Sequence, residues 1–291
     1  MNFHSQSYPQ KDQPVLSILI PSWNNLPYLK LCIKSIQKHS QIPSQIIIHI
    51  NDGKDGSLEW ARENQIDHTH SQDNIGVCRA LNAASTLAQG DYIVFLNDDM
   101  YVLPEWDTTL MSEIQSIGEE SFFLSGTMIE PRNTGNPCVI HHDFGQNIED
   151  FQEERLLKEY QSFDKNDWSG SSWPPNIVAR KVWEDVGGYS VEFSPGMSSD
   201  PDFSMKLWEK GIRYFKGMGK SRVYHFQARS TQRIEKNNGR KQFLEKWGIP
   251  QSAFYKYYLR MGKPWKGPLV SPNLGFGLGF AKLKAWVKAS F

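Results

Sequence analysis

Cysteine, net charge and long apolar runs are all scarce in this chain, and each scarcity argues against a class of protein. Only Cys32, Cys78 and Cys138 occur in 291 residues, widely spaced and odd in number. That pattern argues against a disulfide framework or a cysteine-based zinc site and fits a reducing compartment. Lysine plus arginine and aspartate plus glutamate both total 32, so no global basic field asks for nucleic acid. No segment reaches the run of about 18 apolar residues that spans a bilayer. Met1 to Pro14 is polar and lacks an apolar signal-peptide core. A cytoplasmic protein is expected, with membrane contact only at a surface. What is present is aromatic: ten tryptophans suit a folded chain with stacking surfaces.

The first third alternates strand and helix patterns. Val15 to Ile20 is a short apolar run closed by Pro21, and Ile46 to Ile50 is a second, ending in Asn51-Asp52-Gly53. Between them Tyr28, Leu29, Cys32, Ile33 and Ile36 recur at helical spacing. Leu58 to Asn64 and Ala80 to Leu87 read as helices, and Ile93 to Leu96 as the next strand. Such alternation implies an α/β fold with a mostly parallel central sheet covered on both faces. Ligands of such sheets bind outside the carboxyl ends of the strands. Three of those ends are polar: Ser22-Trp23-Asn24, Asn51-Asp52-Gly53 and Asn97-Asp98-Asp99. Together they suggest one cleft.

The third end is the most informative. Gly90 to Leu96 is β-favouring and stops abruptly in Asn97-Asp98-Asp99. Clustered carboxylates at a strand end suit Mg²⁺ or Mn²⁺, which prefer oxygen ligands and share them with substrate phosphates. Asn and Asp are also ordinary turn residues, so these positions alone leave a solvated turn open.

The ordered motifs from about residue 15 to residue 248 resemble a family-2 glycosyltransferase with the nucleotide-diphospho-sugar-binding GT-A fold. The resemblance is carried by Ser17 to Asn24, Ile50-Asn51-Asp52-Gly53, Asp73-Asn74-Ile75-Gly76 through Arg79 and Asn82, and Asn97-Asp98-Asp99 with Pro104-Glu105-Trp106. It continues through Gly187-Gly188-Tyr189, Asp200-Pro201-Asp202-Phe203, Val223-Tyr224-His225 and Lys246-Trp247-Gly248. It implies a nucleotide-binding half over 15–106 and an acceptor-side half over 107–259; composition sets off a polar arm over 1–14 and a basic, helical C-terminal extension over 260–291.

By this resemblance Pro21, Trp23, Asp52, Arg79, Asn97 and Asp98 would contact the nucleotide-sugar donor. Asp52 would accept from a base N–H, and Arg79 would meet a phosphate or the base. Asp99 would hold the cation, Mn²⁺ or Mg²⁺, with His225 joining it or the diphosphate. Asp200 would be the general base that takes the acceptor hydroxyl's proton in an inverting transfer. Two positions depart from the family pattern: Asn97 replaces a common aspartate, and Ser199 replaces half of an acidic pair. Ser199 or Asp200 could instead cap the helix that follows. Trp168 to Asn176, small residues between tryptophans, would line the acceptor site, or else pack a core. The acceptor could be a glycan, a lipid-linked glycan or a protein.

Two other classes fit less well. A nucleotidyltransferase would carry a glycine- and basic-rich loop where this chain has Pro21-Ser22-Trp23-Asn24-Asn25. A non-catalytic sugar-binding protein of the same fold would explain Asn97 and Ser199. Residues 144–167 are polar and charged, which suggests a mobile helix or lid over the donor. From Arg260 to Phe291 there are six lysines or arginines and no acidic residue. Phe280, Leu283, Trp286 and Val287 fall on one helical face there, which fits either a peripheral membrane helix or packing on a protein surface.

Overall fold

A computed structural model describes residues 3–228, 235–273, 279 and 285. The strands are β1 (His4–Gln6), β2 (Leu16–Trp23), β3 (Ser44–Asn51), β4 (Asp67–Ser71), β5 (Tyr92–Phe95), β6 (Met100–Val102), β7 (Phe122–Glu130), β8 (Ile140–His141), β9 (Trp168–Ser169), β10 (Asn176–Ala179) and β11 (Tyr214–His225). The helices are α1 (Leu26–His39), α2 (Ser57–Glu63), α3 (Gly76–Ser85), α4 (Trp106–Ile117), α5 (Glu153–Glu159), α6 (Arg180–Val186), α7 (Ser199–Glu209) and α8 (Gly239–Trp247), followed by helical turns to Tyr258.

One sheet runs β1-β4-β3-β2-β5-β10-β7-β11-β6, with β8 beside β7 and β9 beside β11. The strands β4, β3, β2 and β5 are parallel, as the alternating pattern implies. β10 is antiparallel to both neighbours, and β11 returns parallel to β7. One apolar layer packs α1 and α4 against the sheet through Leu29, Cys32, Ile33, Trp106 and Leu110. The opposite layer packs α3, α6 and α7 through Leu81, Trp183, Phe203 and Leu207. The cysteine thiols are free and buried.

Several expectations need correction. β2 does not stop at Pro21 but stays in register with β3 to Trp23, so its polar end reaches the cleft. β4 has no apolar run, yet four of its five residues are buried. Its polarity is absorbed by partners: His49 meets Thr69 and Ser71 at 2.8 and 3.2 Å, and Gln45 donates to Asp67 at 2.6 Å. The polar arm is partly structured, since β1 pairs with β4 and the Tyr8 N–H donates to Asp67.

Residues 144–167 form no free lid. Phe144, Leu156 and Tyr160 are buried with Tyr101, Tyr224 and Phe226 in a third apolar cluster. Glu153 accepts from Tyr101 and pairs with Lys38 at 2.7 Å, pinning α5 to the body. In the C-terminal extension, residues 263–269 pack on the domain itself: the Ser169 N–H donates to the Lys263 carbonyl and the Leu269 N–H to the Arg213 carbonyl, both at 2.8 Å. The amphipathic segment 280–288 lies, except for Ala285, outside the described residues. No described helix is long and apolar enough to cross a membrane.

The start of α3 and the segment before α7 approach closely. Gly76, with φ +77°, opens α3 against Pro195, and a Cβ there would lie 2.7 Å from the Pro195 Cα. The Val77 N–H donates to the Pro195 carbonyl at 3.0 Å. Gly76→Ala combines a strained φ with a backbone clash and is expected to cost about 1–3 kcal/mol, read as a lower midpoint in urea unfolding.

Candidate active site

The carboxyl ends of β2, β3, β5, β7 and β11 open on one cleft of about 590 Å³. Pro21, Ser22, Trp23 and Asn51, from the ends of β2 and β3, line it together with Asn97, Asp98 and Asp99 from the turn after β5. Glu130 and His225, from the ends of β7 and β11, and Ser199 and Asp200, from the start of α7, also line it. The structure thus brings together Pro21, Trp23, Asn97, Asp98, Asp99, Asp200 and His225. The three polar strand ends do share a cleft.

Asp98 and Asp99 are nearly buried in the turn between β5 and β6. Asp98 accepts from the Ser22 hydroxyl at 2.7 Å, which ties the first strand end to the third. One Asp99 oxygen accepts from the Ala228 N–H at 2.7 Å, and the other lies 3.4 Å from His225 Nε2. The far nitrogen of that ring, Nδ1, sits 2.8 Å from a Glu130 oxygen. Burial alone would disfavour the imidazolium, but the Asp99 and Glu130 carboxylates outweigh it and raise His225 to about 10. Sequence reasoning misses Glu130, although its signal matches that of Asp98: it ends the apolar stretch of β7 in a carboxylate.

Do these residues fit a divalent cation? Among the described residues, no group of three acidic, histidine or cysteine side chains forms a ready-made cage. Asp99 Oδ1 and His225 Nε2 lie 3.4 Å apart and Glu130 holds the opposite ring nitrogen, so the oxygen and nitrogen donors are of the types a divalent cation takes, but His225 could serve only without its Nε2 proton.

Asp200 lies in the first turn of α7 but is not its cap. Ser198 precedes the helix, no side-chain capping bond forms, and the Ser199 hydroxyl donates to the Gly196 carbonyl instead. The Asp200 carboxylate borders the cleft and accepts from the Tyr189 hydroxyl at 3.1 Å. Burial pushes it up to about 7, and the Tyr189 bond pulls the other way. Tyr189 is itself fixed by stacking on Phe203, with centroids 4.7 Å apart and planes 3° from parallel. Asp202 plays a structural part instead. Wholly buried, it pairs with Lys246 and accepts from the Trp247 indole, locking α7 to α8.

Because the Tyr189 bond favours the ionised form of Asp200, Tyr189→Phe is expected to raise its pKa further. The acid limb of the pH–rate profile should move to higher pH, with the fold retained, as seen by circular dichroism.

Two expected donor contacts are placed differently. Asp52 stands beside Asn51 but outside the cleft lining, in left-handed backbone at φ +63°. Asn24 donates to it at 3.0 Å and Lys54 pairs with it at 3.1 Å, holding its carboxyl below the ordinary range. Arg79 is exposed and does not line the cleft. On α3 the buried face carries Cys78, Ala80 and Leu81, so residue 79 turns to solvent.

The sheet order and the cleft define a GT-A-type α/β fold. The chain belongs to glycosyl transferase family 2, whose family model matches residues 17–183. That match covers the carboxylate turn and ends before Asp200 and His225. Among curated relatives, the glycosyltransferase GlyG of Streptococcus pneumoniae is 26% identical over 66% of this chain and 64% of its own length. The O-antigen biosynthesis protein RfbC of Myxococcus xanthus is 22% identical over 91% of this chain but only 20% of its own. The chain thus spans less than two thirds of either relative. The solved structure of S. aureus TarS 1–349 matches with a TM-score of 0.55 over 94% of this chain and 78% of that one, at 12% identity, a likeness of fold. TarS in complex with UDP-GlcNAc matches with a TM-score of 0.53 over 73% of this chain and 60% of that one, at 14% identity.

Proposed function

We propose that the chain is an inverting glycosyltransferase of glycan or polysaccharide biosynthesis. It would move a sugar from a nucleoside-diphosphate sugar to an acceptor hydroxyl with the help of Mn²⁺ or Mg²⁺. The observation that carries this reading is the meeting, in one cleft of a family-2 fold, of Asp98, Asp99 and His225 with a carboxylate of near-neutral pKa, Asp200. The uridine nucleotide held by TarS makes a uridine-diphosphate sugar the first donor to try.

In this reading the strand ends of β2 and β3 receive the nucleoside, with Trp23 offering a ring face and Asn51 polar atoms, while Asp52, outside the lining, has no direct contact. Asp99 and His225 would hold the cation, which would supply positive charge to the departing diphosphate. To act as a ligand, His225 would have to give up the Nε2 proton that the two carboxylates favour there. Glu130 orients the ring, and the Ser22 bond orients Asp98. Asp200 accepts the proton from the acceptor hydroxyl as the hydroxyl oxygen bonds to the anomeric carbon. The bond from that carbon to the diphosphate breaks, and its electron pair leaves with the diphosphate. A base on the face opposite the leaving group gives inversion. Arg79 has no part in this scheme.

The test is a screen of uridine-, guanosine- and thymidine-diphosphate sugars with Mn²⁺, reading nucleoside diphosphate release. One donor class should be turned over. Release from none, with or without a mixture of glycan acceptors, would count against the reading.

A further inference from the structure

The cleft does not end at Asp200. A second cavity of about 640 Å³ shares Thr134, Asn136 and Trp173 with it and continues past Tyr255 to Lys256, Arg260 and Lys263. Trp173 and Tyr255 meet edge to face, centroids 5.5 Å apart, and form the common wall. Burial raises the Tyr255 hydroxyl, and the Asp200 charge adds to that rise, so the wall stands within electrostatic reach of Asp200.

The lining of this cavity is chemically one-sided. It contains three cations and no carboxylate. Some exposed cations elsewhere are paired, as in Arg155 with Glu159, Arg180 with Glu184 and Lys210 with Asp185. Among the described residues no acidic side chain pairs with Lys256, Arg260 or Lys263, and Lys256 lies only over the Tyr257 ring, 5.1 Å from its centroid. The backbone that carries them is tied down. The Ser169 N–H donates to the Lys263 carbonyl at 2.8 Å, and the Gly262 N–H to the Ser169 carbonyl at 3.0 Å. Arg260 holds a left-handed φ of +50°.

A fixed rim of unneutralised cations beside an aromatic wall selects ligands that carry both an anion and a ring face. Arg260's planar fork matches phosphate or carboxylate, and the lysines add point charge. An indole face suits the apolar face of a sugar ring. We infer that this cavity is the acceptor subsite and that the acceptor is an anionic glycan. Its phosphate or carboxylate meets Lys256, Arg260 and Lys263 while a sugar ring rests on Trp173 and turns a hydroxyl toward Asp200. The acceptor role rests on the transferase reading; the recognition of an anionic glycan does not.

The test uses the full chain and three labelled probes followed by fluorescence polarisation: maltopentaose, its terminal 6-phosphate, and an oligogalacturonate of the same length. At least one anionic probe should bind about tenfold or more tighter than maltopentaose and weaken as salt rises. The triple variant Lys256→Gln/Arg260→Gln/Lys263→Gln, exposed positions all, should lose about tenfold of that affinity. A response to the phosphate probe alone assigns a phosphate-bearing acceptor, and a response to the galacturonate alone assigns a uronic acid. Equal binding of neutral and anionic probes, an unchanged triple variant, or binding of none would overturn the inference. Thermal stabilisation by a nucleotide sugar with Mn²⁺, measured on the same samples, separates the two readings. If the basic side chains govern anionic binding but no nucleotide sugar stabilises the chain, the transferase reading fails and the anionic groove stands.

Discussion

Asp200→Asn is expected to lower the rate of sugar transfer about 10²- to 10⁴-fold while leaving donor affinity nearly unchanged. The amide keeps the size of the side chain and can still bond Tyr189, but it cannot take a proton. In the native chain the rate should rise with pH through about 7, where burial places the Asp200 carboxyl, and level off above it. The same residue makes a prediction independent of activity. Its folded pKa is raised above the unfolded value, so the folded state holds the proton more tightly. The stability it lends is fully present below about pH 4 and is lost as pH rises through about 7. Asp200→Asn should therefore gain stability relative to the native chain at pH 8 and lose that advantage at pH 4. Urea midpoints at the two pH values check this. Equal midpoint differences would mean that Asp200 is not held in a desolvated site.

The second large effect is at Asp99. Asp99→Ala is expected to abolish metal-dependent stabilisation by a nucleotide sugar and to leave less than about 1% of the transfer rate, since a diphosphate leaves poorly without a counter-charge. The native carboxylate also accepts the Ala228 N–H and faces His225, so the substitution removes the proposed cation ligand and both of these contacts together. Asp99→Asn is the control: it retains an acceptor for Ala228 while removing the charge. If Asn restores stability but not metal response, the loss belongs to the charge. Full metal-dependent activity in Asp99→Asn would remove Asp99 from the cation site.

The centre of the cleft is readable in the sequence because its chemistry is costly to place by accident. An apolar strand that ends in Asn97-Asp98-Asp99 has few structural reasons to do so, and the structure puts that end beside Ser22 and His225. Less is legible where polar groups satisfy one another inside the protein. β4 shows no strand pattern because its buried side chains are Asp, His, Thr and Ser, and only the folded partners Gln45 and His49 make such a strand tolerable. Residues 144–167 suggest a lid because charge dominates them. The few aromatic and aliphatic residues among them, such as Phe144, Leu156 and Tyr160, are the ones that anchor the segment. Arg79 shows the limit of motif matching: its position in the ordered motifs says nothing of which helical face it occupies. Glu130 and Tyr189 act through other residues, on His225 and Asp200, and side-chain pairing across strands and helices becomes visible only when the chain is folded.

The most direct test of the central claim, that this cleft binds a nucleotide sugar through a cation, is a calorimetric titration of the full chain. Uridine-, guanosine- and thymidine-diphosphate sugars would be titrated in turn, with Mn²⁺ and with chelator. One donor class should bind at a single site with Mn²⁺ and lose most of its affinity with chelator. Binding of none, or equal binding with and without the metal, would contradict the assignment of Asp99 and His225.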